Sequence, residues 1–149
     1  YNSSPFACES ALKTLGEIKS KNRKSRKIAV LGDMLELGRH TLSAHKNIGK
    51  VSNEILSGNT DILIVVGPRA KAVKEGALEA GMNTENIFEF SDSREAGNFI
   101  KTFAQKDDLI LVKGSQDMRM ERVVEAMLLD KENKSKLLVR QEAEWLEKK

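Results

Sequence analysis

The run Ile28-Ala29-Val30-Leu31 stops on Gly32-Asp33, and that junction constrains the fold more than any other feature of the chain. A short unbroken apolar stretch with β-branched members, closed by a glycine, predicts a strand covered on both faces, and such strands belong to parallel sheets. In open α/β sheets ligands bind beyond the carboxyl ends of the strands. Asp33 and Glu36, in the loop that follows, therefore stand where a site is expected. The same carboxylates could instead close a turn by accepting loop amides.

Strand and helix signals alternate along the rest of the chain. Ser4-Pro5 predicts a helix start, with a capping hydroxyl and a proline whose missing donor costs nothing in a first turn. Phe6, Ala11, Leu12, Leu15 and Ile18 then recur three and four apart as its buried face. A second helix is expected over 41–56, with Leu42, His45, Ile48, Val51 and Ile55 on one stripe. A strand over 61–66 closes on Gly67-Pro68, and a helix over 69–80 ends at Gly81 in a left-handed cap. A short strand over 87–90, a helix over 92–103 presenting Ala96, Phe99, Ile100 and Phe103, and a strand over 109–112 follow. An amphipathic helix is expected over 118–129. In the tail, 137–139 reads as a short strand at the sheet edge and 141–149 as a helix docking Trp145 and Leu146. Short polar connections throughout indicate right-handed βαβ units. The expected class is α/β, a Rossmann-like doubly wound and largely parallel sheet with helices on both faces.

A length of 149 residues suits one domain, placed over 1–149 with no internal boundary. No apolar run approaches the roughly 20 residues that span a bilayer, and the start carries no signal-peptide pattern, so a soluble intracellular protein is expected. The single cysteine, Cys8, has no partner for an internal disulfide and reads as a small buried hydrophobe among Phe6, Ala7 and Ala11. The net charge of +3 would suit phosphorylated or carboxylated ligands without selecting them. The basic run from Lys19 to Lys27 has no aromatic residue interleaved, which favours a solvated loop over a nucleic-acid surface. Two histidines and one cysteine at unrelated spacings make no metal ligand set. Arg69, after Gly67-Pro68, is a candidate anion contact. Lys113-Gly114-Ser115 ends a strand with a mobile point charge, a residue that tolerates close approach, and a hydroxyl beside an amide. Taken alone, that string also fits a strand-end lysine followed by a turn and a serine cap.

Three strings occur in a fixed order: Tyr1-Asn2-Ser3-Ser4-Pro5; Gly32-Asp33-Met34-Leu35-Glu36-Leu37-Gly38, followed by His45 and Gly49; and Lys113-Gly114-Ser115, continued by Met118-Arg119-Met120-Glu121. Together they resemble the last domain of the Mur ligases, closest to the MurF type, and they cover the chain to about Leu129. Ser4 departs from the second Asn of that family's Tyr-Asn-x-Asn-Pro, and the Asp-Asn-Pro-Arg signature of the ligase that adds the third residue is absent. The resemblance implies the acceptor-binding domain of a cytoplasmic ATP-dependent ligase that adds D-alanyl-D-alanine to UDP-MurNAc-tripeptide in peptidoglycan synthesis. It implies ATP and Mg2+ held mainly by other domains, since no G-x-x-x-x-G-K-[ST] phosphate loop is present. A chain opening on Tyr1 then looks like a domain excised from a three-domain enzyme, inactive by itself.

The resemblance also implies site residues. Ser115 would hold the dipeptide carboxylate, with Lys113 and Gly114 beside it. Glu36 and Asp33 would attract its ammonium group, Tyr1 and Asn2 would orient acceptor or nucleotide, and His45 would act near the cleft. His40 has no such support. Neither nucleic acid nor membrane insertion is implied. Two alternatives stand beside this reading: another Mur-type amino-acid ligase domain, and a free-standing Rossmann-like binding module without enzymatic activity.

Overall fold

β1 (Lys27–Gly32) and β2 (Ile62–Val66) are apolar along nearly their whole length and buried on both faces, which is what places them at the centre of a parallel sheet. A computed structural model describes residues 3–147 apart from 23, 60 and 131. Its sheet has the order β3-β2-β1-β4, with β3 (Ile87–Phe90) and β4 (Leu109–Lys113) at the edges and every pairing parallel. The two-residue period of the strands separates two cores. Ala29, Leu31, Leu63 and Val65 pack against α1 (Pro5–Glu17), α2 (Thr41–Ile55) and α3 (Lys71–Glu79). Ile28, Val30, Ile62, Ile64 and Val66 pack against α4 (Ser93–Phe103) and α5 (Glu121–Met127). The doubly wound α/β expectation holds, with three helices on one face and two on the other.

Local chemistry sets the helix boundaries. The Ser4 hydroxyl accepts from Ala7 N–H ahead of Pro5, and the Asp92 carboxylate accepts from Arg94 N–H and Glu95 N–H at the start of α4. α2 and α3 cross where both carry glycine. A Cβ on Gly49 would lie 2.0 Å from the Val73 carbonyl oxygen, and one on Gly76 would lie 1.9 Å from that of Lys46. Part of the basic run holds the sheet together instead of lying in solvent. Arg26, stacked 4.5 Å from the Phe103 ring centroid, pairs with Asp108 at 2.6 Å, and Lys27 Nζ donates to the Gly16 carbonyl.

Several sequence expectations need correction. The buried face of α1 is Cys8, Leu12 and Leu15; Phe6 is 80% exposed because at 3.6 residues per turn it points to the opposite side of the helix from Leu15, and Ile18, the C-cap, is exposed past the helix end. Leu42, at the start of the α2 stripe, projects beyond the sheet and is 69% exposed. The helix expected over 69–80 starts at Lys71, after a turn held by Asp33. The helix expected over 118–129 is broken. A 3-10 turn, Gln116–Met118, gives way at Arg119, whose φ of 52° ends it before α5 begins at Glu121. The 137–139 segment forms no strand. α6 (Lys134–Leu137) occupies its start and Leu138 is extended but unpaired. Of the helix expected over 141–149, the described residues form α7 (Ala143–Leu146), and 148–149 lie outside the described residues. Trp145 packs as expected, whereas Leu146 stays exposed.

Candidate functional site at the β1 and β4 ends

The chain proceeds from β1 outward through β2 to β3, then returns to place β4 on the other side of β1. The connections after β1 and β4 therefore leave the sheet on opposite faces, and the carboxyl ends of these two strands form the topological switch point at which such sheets bind ligands. Two of the three sequence strings meet there. Leu31 is in register with Lys113, Ser115 N–H donates to the Asp33 carbonyl at 3.0 Å, and Leu35 N–H donates to Ser115 Oγ at 2.9 Å. Gly114 is required by this meeting, since a Cβ would stand 2.7 Å from Met120 Cγ and 3.1 Å from Gly32 Cα. The close approach foreseen at Gly114 is made by the protein's own chain.

The first string reaches the same rim through α1. Tyr1 and Asn2 lie outside the described residues. Ser3 is buried and hydrogen-bonds the Cys8 thiol, and Lys113 stands close enough for its charge to act on that thiol. Burial pushes the Cys8 thiol up to about 11, with Lys113 and the Ser3 hydroxyl pulling the other way. Cys8 is thus a protonated core residue rather than a nucleophile.

The 32–38 loop is fixed by side chains from three directions. Asp33, wholly buried, accepts from Arg69 N–H at 3.0 Å and Ala70 N–H at 2.7 Å through Oδ1, and its Oδ2 lies 3.3 Å from Arg69 Nη1. Its carboxylate therefore ties the β1 loop to the start of α3. Arg69 finds a carboxylate partner in Asp33. His45 is also buried. Its Nδ1 lies 2.7 Å from the Thr41 carbonyl, which can only accept, so Nδ1 carries the proton and Nε2 accepts from Met34 N–H at 2.9 Å. His45 supports the loop from behind without lining the rim. Glu36 has φ 64° and an exposed side chain, while the amides of Asp33, Met34 and Leu35 are taken by Val66, His45 and Ser115. Its carboxylate is therefore presented to solvent at the rim by a loop that others hold.

Sequence reasoning missed the second wall. A cavity of about 510 Å³ lies between Lys113-Gly114, Met120 and the extended Leu138. Beside it Glu121 accepts from Arg119 Nε at 2.5 Å and Arg140 Nε at 3.0 Å, and Arg119 Nη1 donates to the Trp145 carbonyl. Burial alone would raise the Glu121 carboxyl; the hydrogen bonds from Arg119 and Arg140 outweigh it and hold the group below its ordinary range. The apolar Leu137-Leu138-Val139 and the expected docking of Trp145 hinted at a contact here, but nothing in the spacing of Arg119, Glu121 and Arg140 showed the clasp. Among the described residues no group of three His, Cys, Asp or Glu side chains comes together to hold a metal, and no helix is long and apolar enough to cross a membrane.

Residues 1–116 match the family described as Mur ligase, glutamate ligase domain. The chain is 30% identical over 128 residues to the UDP-N-acetylmuramoyl-tripeptide–D-alanyl-D-alanine ligase of Bacillus subtilis, covering 86% of this chain and 26% of that protein. It is also 30% identical over 138 residues to the ligase of that name from Buchnera aphidicola, covering 91% and 27%. Among solved structures it resembles MurF ligase from Thermotoga maritima in complex with ADP, with TM-score 0.64, 28% identity and 85% of this chain against 26% of that one. MurF from Acinetobacter baumannii is similar at TM-score 0.68 and 26% identity, with the same coverage. The chain thus spans about a quarter of the length of these relatives. With the 32–38 and 113–115 strings meeting at one switch point and the family match running from the first string through Ser115, this chain belongs to the Mur ligase family and carries its C-terminal, glutamate ligase domain.

Proposed function

We propose that residues 1–149 form the acceptor-binding domain of a MurF-like, cytoplasmic, ATP-dependent ligase that adds D-alanyl-D-alanine to UDP-MurNAc-tripeptide. The observation that carries this reading is the meeting of the 32–38 loop with Lys113-Gly114-Ser115 at the switch point, braced by hydrogen bonds between them. In the proposed reaction the dipeptide amine, once deprotonated, attacks an activated tripeptide carboxyl carbon, a C–N bond forms, and the activating group leaves with its oxygen. The share of this domain is positional, holding the acceptor in reach of that carbon. Glu36 attracts the acceptor ammonium, and Lys113 with the Ser115 hydroxyl proton serves its carboxylate. Gly114 shapes the rim, Asp33 and His45 brace the loop from behind, and Tyr1 and Asn2, outside the described residues, are assigned to orienting acceptor or nucleotide. With no phosphate loop in the sequence and no acidic metal cluster among the described residues, these residues do not fit a Mg2+–ATP site, and no step of ATP chemistry is assigned to them.

Titrating the chain with D-alanyl-D-alanine, with L-alanyl-L-alanine as control, tests this reading by nuclear magnetic resonance. The expected result is saturable shifts of the Met34, Leu35, Glu36 and Ser115 amides for the D,D-dipeptide, weakened in Glu36→Gln. Identical responses to both dipeptides, or none at these amides, would remove the acceptor role.

A further inference from the structure

We propose that the tail, residues 134–147, is a strap that forms one wall of the acceptor pocket, caught by Glu121 through Arg140 and coupled to acceptor binding through the cavity it shares with Lys113 and Gly114. That cavity, of about 510 Å³, takes one wall from the end of β4 and the turn after it, through Lys113, Gly114 and Met120, and the other from the tail, through Leu138, Val139 and Arg140. The family match ends at residue 116, so the strap lies beyond the residues matched to the family.

The way the tail is held suits a part that opens. α6 and α7 have four residues each, too short to be stable helices by themselves. Apolar burial adds little, since Leu137 and Val139 are each 57% exposed and Leu146 is 55% exposed. Polar contacts fasten the tail instead. Arg140 Nε meets Glu121 Oε2 at 3.0 Å, Lys134 Nζ meets Glu125 Oε1 at 2.8 Å, and the Trp145 carbonyl accepts from Arg119. The Arg119 and Arg140 guanidinium carbons also stand 5.6 Å and 5.9 Å from the Trp145 ring centroid. Both arginines that meet Glu121 have left-handed backbone, φ 52° at Arg119 and 57° at Arg140, a conformation that a residue with a Cβ keeps only while its surroundings hold it. Releasing Arg140 from Glu121 therefore relaxes the backbone at 140 as well as freeing the strap, and segments fastened by few buried apolar contacts are the ones that open locally.

An open strap takes Leu138 and Val139 away from Lys113-Gly114 and leaves the acceptor pocket with one wall. A dipeptide that touches both walls favours the closed state, and by linkage closure favours the dipeptide by the same factor. The coupling rests on the acceptor role given to Lys113 and Gly114, whereas the opening of the strap does not.

Trp145 is the single tryptophan of the chain, so its fluorescence reports on the strap. The test measures acrylamide quenching of Trp145 in the 149-residue chain, with and without D-alanyl-D-alanine, together with dipeptide affinity read at the Ser115 amide. Saturating dipeptide should lower the quenching in the wild type, and L-alanyl-L-alanine should not. Arg140→Gln should raise the quenching and weaken dipeptide binding about fivefold, while hydrogen exchange in β1 and β2 stays unchanged. Lys134→Gln, which removes the other tie, should move both readings the same way by less. Unchanged quenching in both variants would overturn the strap. A wild type that binds the dipeptide with an affinity Arg140→Gln leaves untouched would overturn the coupling alone, whereas a wild type that binds no dipeptide would remove the acceptor reading and the coupling with it.

Discussion

At the scale of single residues, the carboxylates and the histidine of the β1 loop carry different loads that the sequence does not distinguish. Asp33 has two backbone amides and a guanidinium around a buried carboxylate, so Asp33→Ala should cost about 3 kcal/mol or more, the penalty for leaving charge-assisted partners unmet. Chemical denaturation checks this. Glu36 is exposed, and Glu36→Gln keeps its shape, so the melting temperature should hold while dipeptide binding weakens. A lowered melting temperature in that variant would show Glu36 to be a brace instead. His45 accepts from Met34 N–H only as the neutral imidazole, which makes it a positioning residue. His45→Leu should loosen the 34–37 amides, visible as faster hydrogen exchange, and His45→Gln, which retains an acceptor, should restore part of the protection. Equal exchange in wild type and His45→Leu would retire that role. The loop and its carboxylates were legible because Gly32-Asp33 ends a buried strand. Which carboxylate faces inward was not, since that depends on Arg69 and Ala70, separated from Asp33 by a whole βαβ unit.

At the scale of elements, the sequence spoke clearly where a cap, a turn residue or an unbroken apolar run carries its own local signal, and failed where placement depends on what packs alongside. Ser4-Pro5, the apolar runs of β1 and β2, and Gly81 with φ 101° all fell where expected. Phe6 did not, because at 3.6 residues per turn it faces away from Cys8 and Leu15, and an apolar side chain so close to the helix start carries no signal of its own that it is left in solvent. The break at Arg119 was equally hidden, since a non-glycine left-handed residue has no local sequence marker and is stabilised here by contacts to Glu121 and Trp145. The glycines test the packing directly. Gly49→Ala would drive a methyl into the Val73 carbonyl of α3 and force the helices apart, costing about 3 kcal/mol. Gly16→Ala meets only the Ile55 side chain at 3.2 Å, which can rotate, so stability should hold or rise. A Gly49→Ala melt no lower than that of Gly16→Ala would contradict this account of the α2/α3 crossing.

At the scale of the whole molecule, β4 is an edge strand with an ionic lock at each end, and both locks rest on carboxylates held below their ordinary range. At its amino end Asp108 pairs with Arg26; burial would raise the Asp108 carboxyl, but hydrogen bonds from Arg26 and the Gln105 amide prevail. Beyond its carboxyl end Glu121 accepts from Arg119 and Arg140, and Arg119 donates to the Trp145 carbonyl, fastening the tail to α5. A carboxyl whose folded value is depressed contributes stability that is full above its ordinary value, 3.8 for Asp108 and 4.5 for Glu121, and is lost as the pH falls through the lower folded value. Acid should therefore release the β4 edge, α5 and the tail before it opens the β1/β2 centre, whose strands pack through apolar side chains on both faces. Hydrogen exchange between about pH 5 and pH 3 should show protection falling first over 109–127 and last over β1 and β2. Glu121→Gln should flatten the acid slope while lowering stability at neutral pH, because it leaves two buried guanidinium groups facing a neutral amide. Uniform loss of protection across all four strands would mean that the sheet opens as one unit and that the two locks do not set its acid limit.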